Sequence, residues 1–104
     1  MAPPEWYNVA TLPTRPPGLR LRLYVAGNAP NSVRATANCR AICDEHFASG
    51  SELEIVDLLA HPKRALADGI IVTPTLLRLL PLPVQRVIGD LSDTSQVLLA
   101  LSSR

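Results

Sequence analysis

Cys39, Cys43 and His46 are spaced four and three residues apart, which on a helix puts them along one flank. Two thiols and an imidazole in that pattern could hold Zn²⁺, and the thiols alone could act as a redox pair. Neither chemistry is complete. A zinc centre needs a fourth ligand or a water in a deliberate pocket, and His61 is the only other histidine. A disulfide between residues four apart inside a helix would require a distorted backbone. Dithiol enzymes place C-x-x-C where a strand turns into a helix, because the helix N-terminus lowers a thiol's pKa. The corresponding junction here reads GNAPNS, and both cysteines come several turns later. The residues therefore predict two small buried thiols and an exposed histidine, with no metal and no cofactor.

Other patterns are equally incomplete. Neither G-x-x-x-x-G-K-[ST] nor G-x-G-x-x-G occurs, so no phosphate loop or dinucleotide fingerprint is present. Glu52 and Glu54 are two apart and share one face of a strand, as the polar side of a half-buried strand would. Asp90 follows Gly89 as a turn residue and Asp93 suits a helix cap. No serine is accompanied by a base and an orienting partner in sequence. The chain is expected not to be an enzyme.

The elements that carry these residues fit one domain. At 104 residues the chain can bury a single modest core. Ten Lys and Arg, scattered along the sequence, oppose nine Asp and Glu, a balance that offers no field to attract nucleic acid or an anionic membrane. No run of about 18 apolar residues exists to span a bilayer, and no basic-then-apolar leader opens the chain. A cytoplasmic location is expected.

Residues 1–18 contain five prolines and end in Gly18, a composition that resists helix and sheet ladder alike and predicts a flexible leader. The folded domain is expected over residues 19–104. LRLRLYVAG, residues 19–27, alternates and then becomes wholly apolar, as a strand running from surface to core does. Pro30 suits the first turn of a helix over about residues 31–47, whose stripe Ser32, Thr36, Cys39, Cys43 and Phe47 should face inward. ELEIVDLL, residues 52–59, alternates as a second strand. Pro62 and Gly69 bracket a short helix. Residues 75–80 and 85–88 read as two strands joined by PLP, hence antiparallel. A last helix starts after a cap at Ser92 or Asp93, with Val97, Leu98 and Leu101 inward.

The order β-α-β-α-β-β-α in a single α/β domain is the thioredoxin-like arrangement, a βαβ unit followed by a hairpin and a terminal helix. VTPT fits it, since such folds carry a cis proline just before the third strand. Pro74 is the candidate.

Three phrases, LRLYVAGNAPNSVRA, LEIVDLLAHPKRALADGIIVTPTLLRLLPLPVQRVIGDLS and VLLAL, resemble the circadian-clock KaiB family in the same order and spacing. The likeness runs from about residue 19 to residue 101. It implies a non-catalytic regulator of a clock or timer that binds the N-terminal ATPase ring of KaiC, a hexameric ATPase, and where present helps to sequester KaiA. Thioredoxin-like domains of clock sensor kinases are similar too. The resemblance also implies two folds: a thioredoxin-like monomer that binds KaiC, and a ground state with a rearranged second half that assembles as a tetramer, so a homo-oligomer, dimer or tetramer, is among the expectations. Pro74, Gly89, Asp90, Ala100 and Ser102 are the positions expected to bear on that choice.

Arg34, within NSVRA, and Leu53, Ile55 and Asp57, on a strand that offers an edge for pairing, are the expected partner contacts. Departures from the family matter as well. The sequence lacks the acidic tail and has the proline-rich leader, and where the family reads VLIGLDLLYE it reads VLLALSSR, with Ala100 for Gly and Ser102 for Asp. Ala exceeds Gly in a helix interior by about 1 kcal/mol, so the thioredoxin-like form should be the resting one. Two other functions compete: a degenerate thioredoxin-like oxidoreductase, which would need a thiol at the first junction, and an oligomeric scaffold in a stress pathway.

Overall fold

In the computed structural model, residues 18–47 and 50–102 are described; the leader expected over residues 1–18 lies outside them apart from Gly18. Seven elements follow in the expected order: β1 (Leu19–Val25), α1 (Pro30–His46), β2 (Ser51–Asp57), α2 (Pro62–Ala67), β3 (Thr75–Leu80), β4 (Gln85–Ile88) and α3 (Thr94–Ser102). The sheet runs β2-β1-β3-β4. Strand β1 lies parallel to β2, with Leu19 opposite Ser51 and Val25 opposite Asp57, and antiparallel to β3; β3 and β4 form an antiparallel hairpin. Both β2 and β4 are therefore edges.

Alternation in β1 divides its side chains between two cores. Leu19, Leu21, Leu23 and Val25 face α1 and α3 and form the larger core with Ala35, Cys39, Ile42, Cys43, Leu76, Val97 and Leu101. Tyr24 faces the other way and joins Val56, Leu77 and Ala65 of α2 in a smaller one. Three layers result, with a long and a terminal helix on one face and a short helix on the other.

Boundaries differ from the sequence reading where polar side chains take over backbone partners. Strand β1 ends at Val25, not residue 27, because the Ala26 amide donates to Ser32 Oγ at 3.0 Å and Gly27 turns at φ +52°. Strand β2 ends at Asp57, not residue 59, because the Leu59 amide donates to the Asp57 carboxylate at 2.9 Å and the Ala60 and His61 amides to the Asp57 carbonyl. Helix α1 is shifted by one residue, starting at Pro30 behind Ala29, with no side-chain cap bond. Its inner stripe also contains Ala35 and Ile42, both buried, while Thr36 and Phe47 are half-buried. Helix α2 ends as expected at Gly69, where φ is +68° and the Gly69 and Ile70 amides donate to the Leu66 and Ala65 carbonyls, the paired bonds of a Schellman cap. Asp93 caps α3 through the Gln96 amide at 3.1 Å. The Thr73–Pro74 bond is cis, as are Leu80–Pro81 and Leu82–Pro83 in the hairpin turn.

Candidate functional site

The β1–α1 junction, where a thioredoxin-like enzyme would keep its thiols, is closed by hydrogen bonds instead. Ser32 takes the Ala26 amide, and Asp57 Oδ1, at the end of β2, takes the Gly27 amide at 3.1 Å as well as that of Leu59. Leu59 lies against Gly27 so closely that a Cβ there would meet its Cδ1 at 3.3 Å. The junction is a structural corner. Asp57, expected on the partner-binding strand, has its carboxylate committed to these two amides.

Leu53 and Ile55 sit on the β2 edge, half-buried against the larger core. Their neighbours Glu52 and Glu54 face the other side of the sheet, paired across the strands with Arg20 at 3.1 Å and Arg22 at 2.7 Å. Arg64 of α2 also reaches Glu54, at 2.8 Å. Arg64, then Arg22, holds the Glu54 carboxyl below its ordinary pKa. Both glutamates are thus the polar side of a strand and carry no acid-base arrangement.

Arg34 is exposed on α1, over the opposite half of the sheet. Its guanidinium bonds to Asn31 Oδ1 one turn back and lies 3.3 Å from Asp90 Oδ2, while Asn38 donates to the Asp90 carbonyl at 2.9 Å. Asp90 also accepts the Ser92 amide, and Ser92 first and Arg34 second lower its pKa. Next to it Gly89, at φ +118°, donates its amide to the Pro74 carbonyl at 3.0 Å. The structure therefore brings Arg34, Pro74, Gly89 and Asp90 into one corner, and leaves Leu53 and Ile55 on the opposite edge strand. Ala100 packs half-buried on the larger core and Ser102 is exposed at the end of α3.

Cys39 and Cys43 are buried, free thiols one turn apart on α1. Among the described residues no group of three or more His, Cys, Asp or Glu is placed to hold a metal ion. His46 is exposed, as expected.

Two features escape the sequence reading. Arg78, inside a strand of leucines, is fully buried and donates to the carbonyls of Ala100 at 3.0 Å, Leu101 at 3.3 Å and Pro83 at 2.9 Å. It ties the end of α3 to the hairpin turn. A charged residue alternating into the core face of a β-strand is the signal that points to it. The second is a set of exposed apolar side chains, Val33, Leu59, Ile71, Val72 and Ile88, which the strand register places at the junction end of the sheet. Ile71 is 94% exposed. Among the described residues no helix is long and apolar enough to cross a membrane.

The KaiB domain family matches residues 22–103. The circadian clock oscillator protein KaiB of Synechococcus elongatus is 51% identical over 81 residues, covering 78% of this chain and 79% of that protein. Among solved structures, the N-terminal domain of SasA from the same organism superposes with a TM-score of 0.70 at 24% identity, covering 88% of this chain and 90% of that one. A thioredoxin of Trichomonas vaginalis superposes with a TM-score of 0.59 at 20% identity, over 79% of this chain and 75% of its own. These two likenesses establish the thioredoxin-like fold expected from the element order.

Proposed function

The chain belongs to the KaiB family, and on that premise we propose that it is a non-catalytic clock or timer regulator that binds the N-terminal ATPase ring of a KaiC-type hexamer in the cytoplasm. The observation that carries this reading is the pairing of a sealed junction with an open edge. The Ala26 and Gly27 amides are bonded to Ser32 and Asp57, and the position where this fold does redox chemistry carries no thiol. Strand β2, in contrast, is an unpaired edge among the described residues and carries two half-buried aliphatic side chains, Leu53 and Ile55. An open edge beside an apolar strip suits strand addition by a partner. Arg34 supplies a separate exposed cation, beside Asp90 on the β4 side of the sheet, and Asp57 acts by fixing the corner from which β2 projects.

On this reading the thioredoxin-like form is the resting and binding-competent one. Rearrangement of the second half, with assembly into a dimer or tetramer, is an alternative state, and KaiA or a clock sensor kinase is a further partner of the complex.

The test is size-exclusion chromatography of the protein with the KaiC homologue of its own genome and ATP, with ATPase rate measured in parallel. Co-elution and a changed ATPase rate are expected. Elution as separate species with an unaltered rate overturns the reading and favours a scaffold without an ATPase partner. Backbone chemical shifts of the free protein that show helix between Thr75 and Ile88 would overturn the resting state.

A further inference from the structure

At the end of the sheet remote from the β1–α1 junction, the larger core comes to the surface. A hollow of about 310 Å³ lies there between the C-terminal ends of α1 and α3 and the β3–β4 turn. Among the described residues Gly18, Leu19, Phe47, Pro81 and Leu101 line it, with the exposed His46 at its rim. Leu19 and Leu101 belong to the larger core and Phe47 packs half-buried against it, so the floor is aliphatic and one wall is an aromatic ring. The His46 and Phe47 rings are 6.4 Å apart and tilted by 59°. The Leu19 amide donates to the Gly50 carbonyl at 2.9 Å, which fixes the point from which the preceding chain departs. The 17 residues before Gly18 therefore start at the hollow itself.

Those residues carry the kind of side chain the hollow can take. Trp6 and Tyr7 are two of the chain's four aromatic residues, and Trp6 is its only tryptophan; large aromatic side chains dominate the energetics of apolar contacts. We propose that this segment folds back on its own domain and seats the Trp6 indole in the hollow. The tether allows it. Residues 13–17, as an extended polyproline stretch, span about 16 Å, and residues 7–12 cover about 20 Å on the return. The indole N–H then meets the end of α1 at His46, where the last carbonyls of a helix have no helical donors of their own, and a buried tryptophan needs such an acceptor.

Because segment and hollow share one chain, the contact needs little intrinsic affinity. A short tether gives an effective concentration of about 1 mM, which fills to about nine-tenths a site whose dissociation constant is about 0.1 mM. Seated there, Trp6 touches Leu19 and Phe47 of the N-terminal βαβ unit together with Pro81 of the hairpin turn and Leu101 of α3. The segment is then a strap that holds the second half of the domain against the first.

With a single tryptophan, the indole emission of the full-length protein reports on Trp6 alone. The expected emission lies to the blue of that of a peptide of residues 1–17, acrylamide quenches it about fivefold less than in the peptide, and both differences persist on dilution. Nuclear Overhauser contacts should run from the indole protons to the Phe47 ring and the Leu101 methyl groups. Phe47→Ala, its fold checked by circular dichroism, should return emission and quenching to the peptide values. Trp6→Ala gives an independent reading if Phe47→Ala does not fold: the amide resonances of Phe47, Gly50 and Leu101 should shift while those of Ile71 and Ile88, at the junction end, stay in place. Three results overturn the proposal: peptide-like emission and quenching, a blue shift that fades on dilution and so marks the segment of a second copy, or indole contacts to Ile71 and Ile88 in place of Phe47 and Leu101.

Discussion

Arg34 Nε lies 3.3 Å from Asp90 Oδ2, so an exposed residue of the first helix is tied to the loop between the last strand and the last helix. The pair spans the boundary between the N-terminal βαβ unit and the hairpin that follows. Both side chains meet solvent, and exposed ion pairs add little to stability. Arg34→Ala is therefore expected to leave the thermal midpoint almost unchanged. If Arg34 is a docking cation, the same substitution weakens binding to the KaiC homologue by about tenfold, as loss of a central contact does. Calorimetric melting and titration of one preparation separate the outcomes. A lowered midpoint with unaltered affinity would make the residue a structural tie alone.

Asp57 holds the junction corner with one carboxylate oxygen. Asp57→Ala leaves the Gly27 and Leu59 amides without their acceptor, and unsatisfied donors in a partly buried corner cost about 1–3 kcal/mol. Asp57→Asn keeps a side-chain carbonyl in place and should recover at least half of that. Urea denaturation measures both, and equal loss in the two variants would mean that the carboxylate's charge matters more than its hydrogen bonds.

Much of this architecture was legible because local signals agree with one another. Alternation in β1, Pro30 and Pro62 at helix starts, Gly69 at a helix end and Asp93 at a cap all act within a few residues, and each is found in its expected role. The corner bonds of Asp57 and the burial of Arg78 were not legible in the sequence for a common reason. Each residue has a near partner, Leu59 for Asp57 and Pro83 for Arg78, but the partner that completes its role lies 30 residues away at Gly27 or 22 at Ala100, and no local pattern reports that distant bond. Ala35 and Ile42 were missed because α1 presents a wider inner face than a single stripe of threes and fours.

Arg78 provides the strongest stability test. Its guanidinium serves carbonyls from the end of α3 and from the hairpin turn. Arg78→Met fills similar volume but leaves these carbonyls unsatisfied in the interior, at roughly 3 kcal/mol or more in total. Arg78→Lys retains the charge but lacks the planar fork that reaches several acceptors together, and should fall between the two. Hydrogen exchange locates the effect: in Arg78→Met the amides of α3 should lose protection before those of β1. Uniform loss over the whole sheet would argue against a local tie.

On the proposed two-fold reading, Ala100 should favour the thioredoxin-like form. It stands inside α3 and packs against the larger core. Ala100→Gly should cost the helix about 1 kcal/mol, which in a domain of this size lowers the melting midpoint by about 4–8 °C. Two-dimensional NMR adds a second readout. A new set of resonances confined to residues after Ile70 would show the second half rearranging, whereas a simple loss of stability leaves one set.

Tyr24 and Asp68 link the sheet to α2 and should bend the pH dependence of stability at both ends. The Tyr24 hydroxyl donates to Asp68 Oδ2 at 2.5 Å, and Arg22 reaches the same carboxylate at 3.0 Å. Burial works to raise the Asp68 pKa, but the Tyr24 bond and Arg22 outweigh it and the value falls below the ordinary one. Burial first, then the bond to Asp68, raises that of Tyr24. The depressed carboxyl gives stability that is present above its unfolded value of about 3.9 and is lost as pH falls through the lower folded value. The raised phenol gives stability that is full below its unfolded value of about 10 and disappears as pH rises through the higher folded one. Asp68→Asn should flatten the acid limb, and Tyr24→Phe should flatten the alkaline limb while also weakening the acid one, because it removes a donor from Asp68. Denaturation midpoints from pH 2 to pH 11 test the coupling, and a Tyr24→Phe acid limb as steep as that of the unmodified protein would show that Arg22 alone holds the carboxylate down.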